Sequence, residues 1–318
     1  MAQSNKPVLV VDTLTKIFSN KKLFGAKKEF IAVNGISFSL HEGEVLGFLG
    51  PNGAGKTTTI QILLSLMTPT SGTVTYFGKN FFTHRSEVLQ DVAFASAYTK
   101  LPGRLTIFEN LDIYGRLYGL PTEARNARIK EFLSFFGMWG LRNKPSGLLS
   151  AGQTTRVMLA KAFLATPKIV LLDEPTASLD PDVAHDVRKF VQQQQADRKI
   201  SVLFTSHNMA EVEEICDRVL ILKNGSIIAN NTPEEIASSI SKTRVSLMVG
   251  GDSLIKTEQY AREQNLKYKI TEPFIEMHVD EHDVAQLLSN LAQRGVAYSQ
   301  ISIEKPTLED YFLHIAKQ

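Results

Sequence analysis

The stretch Gly50–Thr57 reads G-P-N-G-A-G-K-T. It matches the pattern G-x-x-x-x-G-K-[ST], and its surroundings fit that pattern. The short apolar run Val45–Leu49 precedes it as a strand, and a helix is predicted from Lys56 to about Met67. A loop of this kind wraps phosphate groups with its own backbone N–H groups. Glycines are required because side chains would hold the backbone away from the anion. The positive end of the following helix points at the same phosphates. The residues expected to cradle a nucleoside triphosphate are Gly50, Pro51, Asn52, Gly53, Ala54, Gly55, Lys56, Thr57 and Thr58. Lys56 is expected to reach the β- and γ-phosphates, the Thr57 hydroxyl to take a Mg²⁺ position, and Thr58 to lie near the α/β-phosphates.

A second stretch, Ile169–Pro175, reads I-V-L-L-D-E-P. Four apolar residues make a buried strand that delivers two carboxylates to its C-terminal end, where ligand crevices of open parallel sheets lie. Asp173 is expected to hold Mg²⁺ through water, and Glu174 to orient or deprotonate an attacking water. Acids after a strand also cap helices. The phosphate loop in the same chain favours the catalytic reading.

Working outward, 318 residues suffice for one large domain and one small one. The formal net charge of +2 gives no general case for nucleic acid. The single cysteine, Cys216, allows no intrachain disulfide, which fits a reducing compartment. The opening MAQSNKPVLVVD lacks the basic head and apolar core of a signal peptide. A membrane helix needs about 20 apolar residues, and the apolar runs here are strand-length, so any work at a membrane is expected to be done as a guest. Residues 8–12 and 35–40 read as strands, with a basic surface loop over Ser19–Glu29 between them. That loop is also a candidate for contact with a partner or with lipid head groups. Thr73–Phe77 reads as an edge strand. Helices are predicted at Thr106–Tyr118, Glu123–Phe136, Ala151–Ala165, Ala184–Gln195 and Met209–Cys216, with strands at Ile169–Leu172 and Ser201–Thr205. The alternation predicts an α/β domain over 1–240 with a mostly parallel sheet and a helical subdomain at about 91–150. Over 241–318 the order β-α-β-β-α-β predicts a small α+β domain resembling the ferredoxin-like unit.

Five ordered motifs over residues 8–240 carry a family resemblance. Leu149–Gln153, L-S-A-G-Q, resembles the signature of the ABC ATPases, usually L-S-G-G-Q. Gly50–Thr58 and Ile169–Pro175 look like the family's two Walker motifs, Ala177–Pro181 (A-S-L-D-P) looks like its D-loop, and His207 is similar to its switch histidine. Ser150 is placed as an N-cap with Ala151 starting a helix, so the helix end is an anion site with no anion of its own. The resemblance implies that Leu149, Ser150, Ala151, Gly152 and Gln153 cover the γ-phosphate held by an opposite subunit. Two ATPs would then lie in a head-to-tail dimer, made with a second copy of the chain or a paralogous subunit. It further implies that His207 contacts the γ-phosphate and that the D-loop residues Ser178, Leu179 and Asp180 reach the partner. Phe18 would stack adenine, where a ring face suffices without a hydroxyl. ATP and Mg²⁺ are the implied cofactors. Ala151 replaces the usual glycine with only a methyl group more. A larger departure concerns the glutamine that the family carries after the strand before its helical segment. An ungapped alignment puts Ala97 there, and no glutamine occurs from Asp91 to Leu149. Either Ser96 or Tyr98 substitutes, or the coupling is unusual.

The end of the chain, Pro306–Lys317 (P-T-L-E-D-Y-F-L-H-I-A-K), resembles exporter ATPases of the daunorubicin-resistance and sodium-efflux types. The expectation is an ATP-hydrolysing subunit at the cytoplasmic face of the membrane, attached peripherally to a permease on a separate chain, with no nucleic-acid partner. The helical segment, with Phe94, Tyr98, Phe108, Tyr114 and Tyr118, is the candidate permease-facing surface. Two rivals remain open: an ABC ATPase acting on ribosomes or DNA, and a regulatory ATP-binding module with little turnover.

Overall fold

A computed structural model describes residues 6–20, 28–96, 99–177, 179–239 and 242–316. The chain divides into two compact units, with the boundary between Thr232 and Pro233.

The first unit opens with β1 (Pro7–Asn20) and β2 (Lys28–His41), paired antiparallel from Pro7↔His41 to Asn20↔Lys28. This corrects the expected loop over 19–29 at its two ends, where residues 19–20 and 28–29 are strand. Cross-strand pairs Ile17↔Ile31, Phe18↔Phe30 and Ser19↔Glu29 carry the ladder into that stretch. Branched and aromatic pairs sustain a ladder where polarity alone reads as loop. Residues 21–27 lie outside the described residues. Register shifts on both sides of Leu14 break the alternation by which strand ends are recognised.

Next come β3 (Val45–Leu49), buried throughout, and α1 (Lys56–Leu63). The helix stops short of Met67 because Ser65 turns left-handed at φ 58°, and the Leu66 N–H closes back on the Gln61 carbonyl at 2.8 Å. β4 (Ser71–Tyr76) pairs with both β1 and the two-residue β5 (Lys79–Asn80), so it is internal to its sheet and not an edge. After α2 (Arg85–Leu89) and β6 (Val92–Ser96) come three helices, α3 (Ile107–Leu117), α4 (Thr122–Phe135) and α5 (Ala151–Leu164), which pack on one another. The rest alternates: β7 (Ile169–Asp173), α6 (Pro181–Arg198), β8 (Ser201–Thr205), α7 (Met209–Ile215), then β9 (Arg218–Lys223) and β10 (Ser226–Asn231). The β9–β10 hairpin is absent from the sequence reading. Its signal was present: the apolar run Val219–Leu222, then Asn224 and Gly225 at φ 51° and 78°, the two left-handed residues of a tight hairpin turn.

Two sheets result. One is the antiparallel sheet β2-β1-β4-β5. The other has the order β10-β9-β3-β8-β7-β6, in which all neighbours but β10 run parallel. β3, β7 and β8 are buried along almost their whole length, as expected of parallel strands covered on both faces. A shared core of Leu46, Phe48, Ile62, Leu171 and Leu203 joins this sheet to residues of β1 and β2. The parallel strands end side by side at Leu49, Ser96, Asp173 and Thr205.

The second unit begins with α8 (Pro233–Ser238), earlier than the boundary expected at 240, because α8 packs on the last helix, α11 (Leu308–Ala316). Between them run β11 (Thr243–Met248), α9 (Asp252–Glu263), β12 (Lys267–Thr271), β13 (Phe274–Val279), α10 (Val284–Gln293) and β14 (Gln300–Glu304). The sheet order β12-β13-β11-β14, antiparallel throughout, is the ferredoxin-like arrangement. Its core is built on Val245, Leu247, Ile275, Met277, Leu287 and Leu291. Among the described residues, no helix is long and apolar enough to cross a membrane.

Candidate active site

The loop between β3 and α1 is shaped by two contacts that leave no room for a side chain. A Cβ on Gly50 (φ 152°) would lie 2.4 Å from the Leu222 carbonyl oxygen, and one on Gly55 (φ 105°) 2.4 Å from that of Ala32. Gly55 is the N-cap of α1 and offers no side-chain acceptor. The first helical bond runs from the Thr59 N–H to the Gly55 carbonyl at 2.9 Å, so the N–H groups of Lys56, Thr57 and Thr58 have no acceptor within the helix. That is the physical form of an anion site. Lys56 Nζ donates to the carbonyls of Gly50 and Pro51, folding the side chain over the loop. Burial lowers its pKa, while the nearby Glu174 and Asp173 carboxylates oppose the shift.

Asp173 closes β7. Its Oδ1 accepts from Thr205 Oγ1 at 2.7 Å, across the register pair Asp173↔Thr205. Burial raises the Asp173 pKa. The Thr205 bond opposes this, the Glu174 charge adds to it, and Lys56 opposes it. Glu174 stands in the left-handed region at φ 52°, with its N–H donating to the Thr205 carbonyl at 3.1 Å and to Thr205 Oγ1 at 3.0 Å. A non-glycine residue held in that region costs about 1–3 kcal/mol and recurs at functional sites. His207, beyond β8, meets Glu174: its Nδ1 lies 2.6 Å from Glu174 Oε2, and its backbone N–H donates to the same oxygen at 3.3 Å.

A cleft of about 530 Å³ gathers the phosphate loop, Lys56, Asp173 and Glu174. Phe18, Phe30, Asn52–Thr58, Ser96, Thr99, Asp173 and Glu174 all line it. The size suits a nucleotide-sized ligand. Unpaired helix N–H groups and Lys56 fit a triphosphate. The Thr57 hydroxyl and the Asp173 carboxylate are the hard oxygen donors Mg²⁺ prefers, with phosphates and water completing its shell. Phe18 and Phe30 are register partners in the β1–β2 ladder, and Lys16 Nζ sits 5.2 Å above the Phe18 ring while donating to the Thr68 carbonyl at 2.8 Å. Phe30 is absent from the sequence reading, which starts that strand at residue 35; its place opposite Phe18 is set by cross-strand register.

Leu149–Gln153 do not line this cleft. They form the start of α5, where Ser150 Oγ accepts from the Gln153 N–H and Gln153 Oε1 accepts from the Ser150 N–H, both at 3.2 Å. Ser150 is thus the N-cap expected, and Gln153 completes a capping box that was not foreseen. Ala151 is exposed at the helix start. Asp180 is exposed at the N-cap of α6, with Leu179 before it. Ser178, Ala97 and Tyr98 lie outside the described residues. Ser96, at the end of β6 opposite Asp173, is in the cleft beside the place where a glutamine was missed.

A family model described as "ABC transporter" matches residues 33–177. The ABC transporter ATP-binding protein NatA of Bacillus subtilis is 38% identical over 214 residues, covering 67% of this chain and 87% of the relative. The chain belongs to the ABC transporter ATP-binding family. This ABC ATPase is also 30% identical over 325 residues to the bacitracin transport ATP-binding protein BcrA of Bacillus licheniformis, covering 96% and 98% of the two chains. Among solved structures, an ATP-binding subunit of an ABC transporter matches 72% of this ABC ATPase and 91% of its own chain, with a TM-score of 0.65 and 28% identity. The chain is therefore an ATP-binding and ATP-hydrolysing subunit of an ABC transporter.

Proposed function

We propose that this ABC ATPase drives an exporter by closing head-to-tail with a second ATP-binding subunit, coupled to a membrane permease on a separate chain. The observation that carries the reading is the length of the match. The bacitracin transport protein and the linearmycin resistance ATP-binding protein LnrL of Bacillus subtilis (31% identical, 93% and 96% covered) are matched through the second unit as well as the first. The absence of a membrane-crossing helix among the described residues agrees with a peripheral subunit docked at the cytoplasmic face.

In this reading Gly50–Thr58 bind the triphosphate, Phe18 stacks the adenine, and Thr57 and Asp173, the latter through water, hold Mg²⁺. Mg²⁺ held there would neutralise charge that develops on the phosphates. Lys56 swings from the Gly50 and Pro51 carbonyls to the β- and γ-oxygens. Glu174, held by His207, orients the attacking water and accepts its proton. Leu149–Gln153 present the capped end of α5 to the γ-phosphate of the partner, and Ser178–Asp180 touch the partner beside it. The exposure of Ala151 and Asp180, and the place of Leu149–Gln153 outside their own cleft, support that division of labour.

The test is a native pull-down of the tagged chain from membranes in mild detergent. A multi-span membrane protein at about one-to-one stoichiometry is the expected companion. Ribosomal or DNA-bound proteins without a membrane partner would overturn the transport reading. In parallel, Glu174→Gln with ATP is expected to elute as a dimer on size exclusion, and a monomer in the presence of the permease would defeat the head-to-tail arrangement.

A further inference from the structure

Beside the cleft, but outside it, a buried carboxylate ties together the two backbone segments that carry Glu174 and His207. Glu211, on the first turn of α7, has its side chain 7% exposed. Its Oε2 accepts from Thr176 Oγ1 at 2.6 Å and from Ser206 Oγ at 3.0 Å, and its Oε1 accepts from Arg188 at 3.2 Å. Thr176 is two residues after Glu174, and Ser206 directly precedes His207. Ser206 Oγ also accepts the Asn208 N–H at 3.0 Å, so the turn bearing His207 is fastened on both sides of the histidine. Arg188 is held in turn by Glu214 at 2.6 Å, which anchors the arrangement to α6.

Glu211 lies outside the lining of the cleft, and its bonds go to Thr176, Ser206 and Arg188, the residues that frame the two turns. We infer that Glu211 is a positioning residue for the Glu174–His207 pair, setting the distance between the turn after β7 and the turn after β8. The left-handed backbone at Glu174 needs such support, because a strained conformation persists only where its surroundings over-determine it. One charged acceptor shared by two hydroxyls suits the purpose, since bonds to an ionised carboxylate are about twice as strong as neutral ones. The inference rests on the reading of Glu174 and His207 as the hydrolytic pair.

The full-length chain is tested with Glu211→Ala and with Glu211→Gln, which keeps the volume and an oxygen acceptor. Two readouts are taken: the split of turnover into kcat and KM, and the ¹⁵N shift of the His207 ring, assigned by its loss in His207→Ala. Glu211→Ala is expected to lower kcat about 100-fold, leave KM within about twofold, and move the His207 signal to the place it takes in Glu174→Ala. Glu211→Gln keeps an acceptor for the two hydroxyls without the charge and is expected to restore both in part. If Glu211→Ala does not fold, Thr176→Val and Ser206→Ala each remove one bond and carry the same expectation in smaller measure. An unmoved His207 signal, or a rise in KM without loss of kcat, would overturn the positioning role. Failure of the hydrolytic reading shows separately, as undiminished turnover in Glu174→Gln.

Discussion

At the residue scale, the cleft separates groups that bind from groups that react. Glu174 is the sharpest case. Its backbone is strained, both its backbone N–H and its carboxylate are engaged, and the carboxylate pairs with His207. Glu174→Gln is expected to lower the rate of phosphate release about 100- to 10,000-fold, the range for loss of a general base, while a fluorescent ATP analogue still binds. Retained turnover would place the base elsewhere. Phe18 and Phe30 present a different case, because Phe30, opposite Phe18 in the strand register, also lines the cleft. A stacked base is worth about 1–3 kcal/mol. With one face of Phe18 covered by Lys16, Phe30→Ala is expected to weaken nucleotide binding by an amount comparable to Phe18→Ala. Titration calorimetry on both variants checks this, and an unchanged affinity for Phe30→Ala would leave Phe18 alone in the role.

At the element scale, the three-helix segment between β6 and β7 is fixed by a charge pair more than by periodicity. Arg125 of α4 is buried, with its side chain 5% exposed, and donates to Asp112 of α3 at 2.5 Å and to the Leu120 carbonyl at 2.9 Å. Removing one partner of a buried pair leaves the other uncompensated and costs about 3–5 kcal/mol. Asp112 is 18% exposed, so the lower end applies. Asp112→Ala is expected to cost about 3 kcal/mol, read as faster hydrogen exchange in α3 and α4, with β3, β7 and β8 unchanged. Burial pushes the Asp112 carboxyl up, but bonds and charge from Arg116 and Arg125 outweigh it and hold the pKa below the usual value. A depressed folded pKa means that the unfolded chain binds the proton more readily. The contribution is therefore fully present above the ordinary aspartate pKa and is lost as pH falls through the lower, folded value. Acid titration of the wild type followed by exchange in α3 checks the direction. The stability difference from Asp112→Ala should shrink toward low pH.

At the scale of the whole molecule, each unit has a hydrophobic core of its own. Leu247 of β11 is fully buried in the second, in one cluster with Val245 and Val249. Leu247→Ala is expected to destabilise that unit by about 2–5 kcal/mol, the cost of a buried leucine truncated to alanine. Exchange of amides in β11 and β13 should rise, while those of β3, β7 and β8 keep their protection. Loss of protection in both units would mean that they fold as one cooperative body.

Much of the site was legible in the sequence, because it is written in contiguous motifs whose chemistry is local. A glycine-rich loop after an apolar strand, a pair of acids at a strand end and a serine opening a helix each need only a few neighbouring residues, and each occupies the element expected of it. The β-α-β-β-α-β order of the second unit was legible for the same reason, since periodicity changes within short windows. Tertiary structure decided what depends on residues far apart in the chain. It carried β1 and β2 to Asn20 and Lys28 by cross-strand pairing, and it set Phe30 opposite Phe18. It assigned α8 to the second unit by packing against α11, and it brought His207 within 2.6 Å of a glutamate 33 residues away. Strand register, burial and the meeting of distant side chains are properties of packed elements, and no local pattern of residue types encodes them.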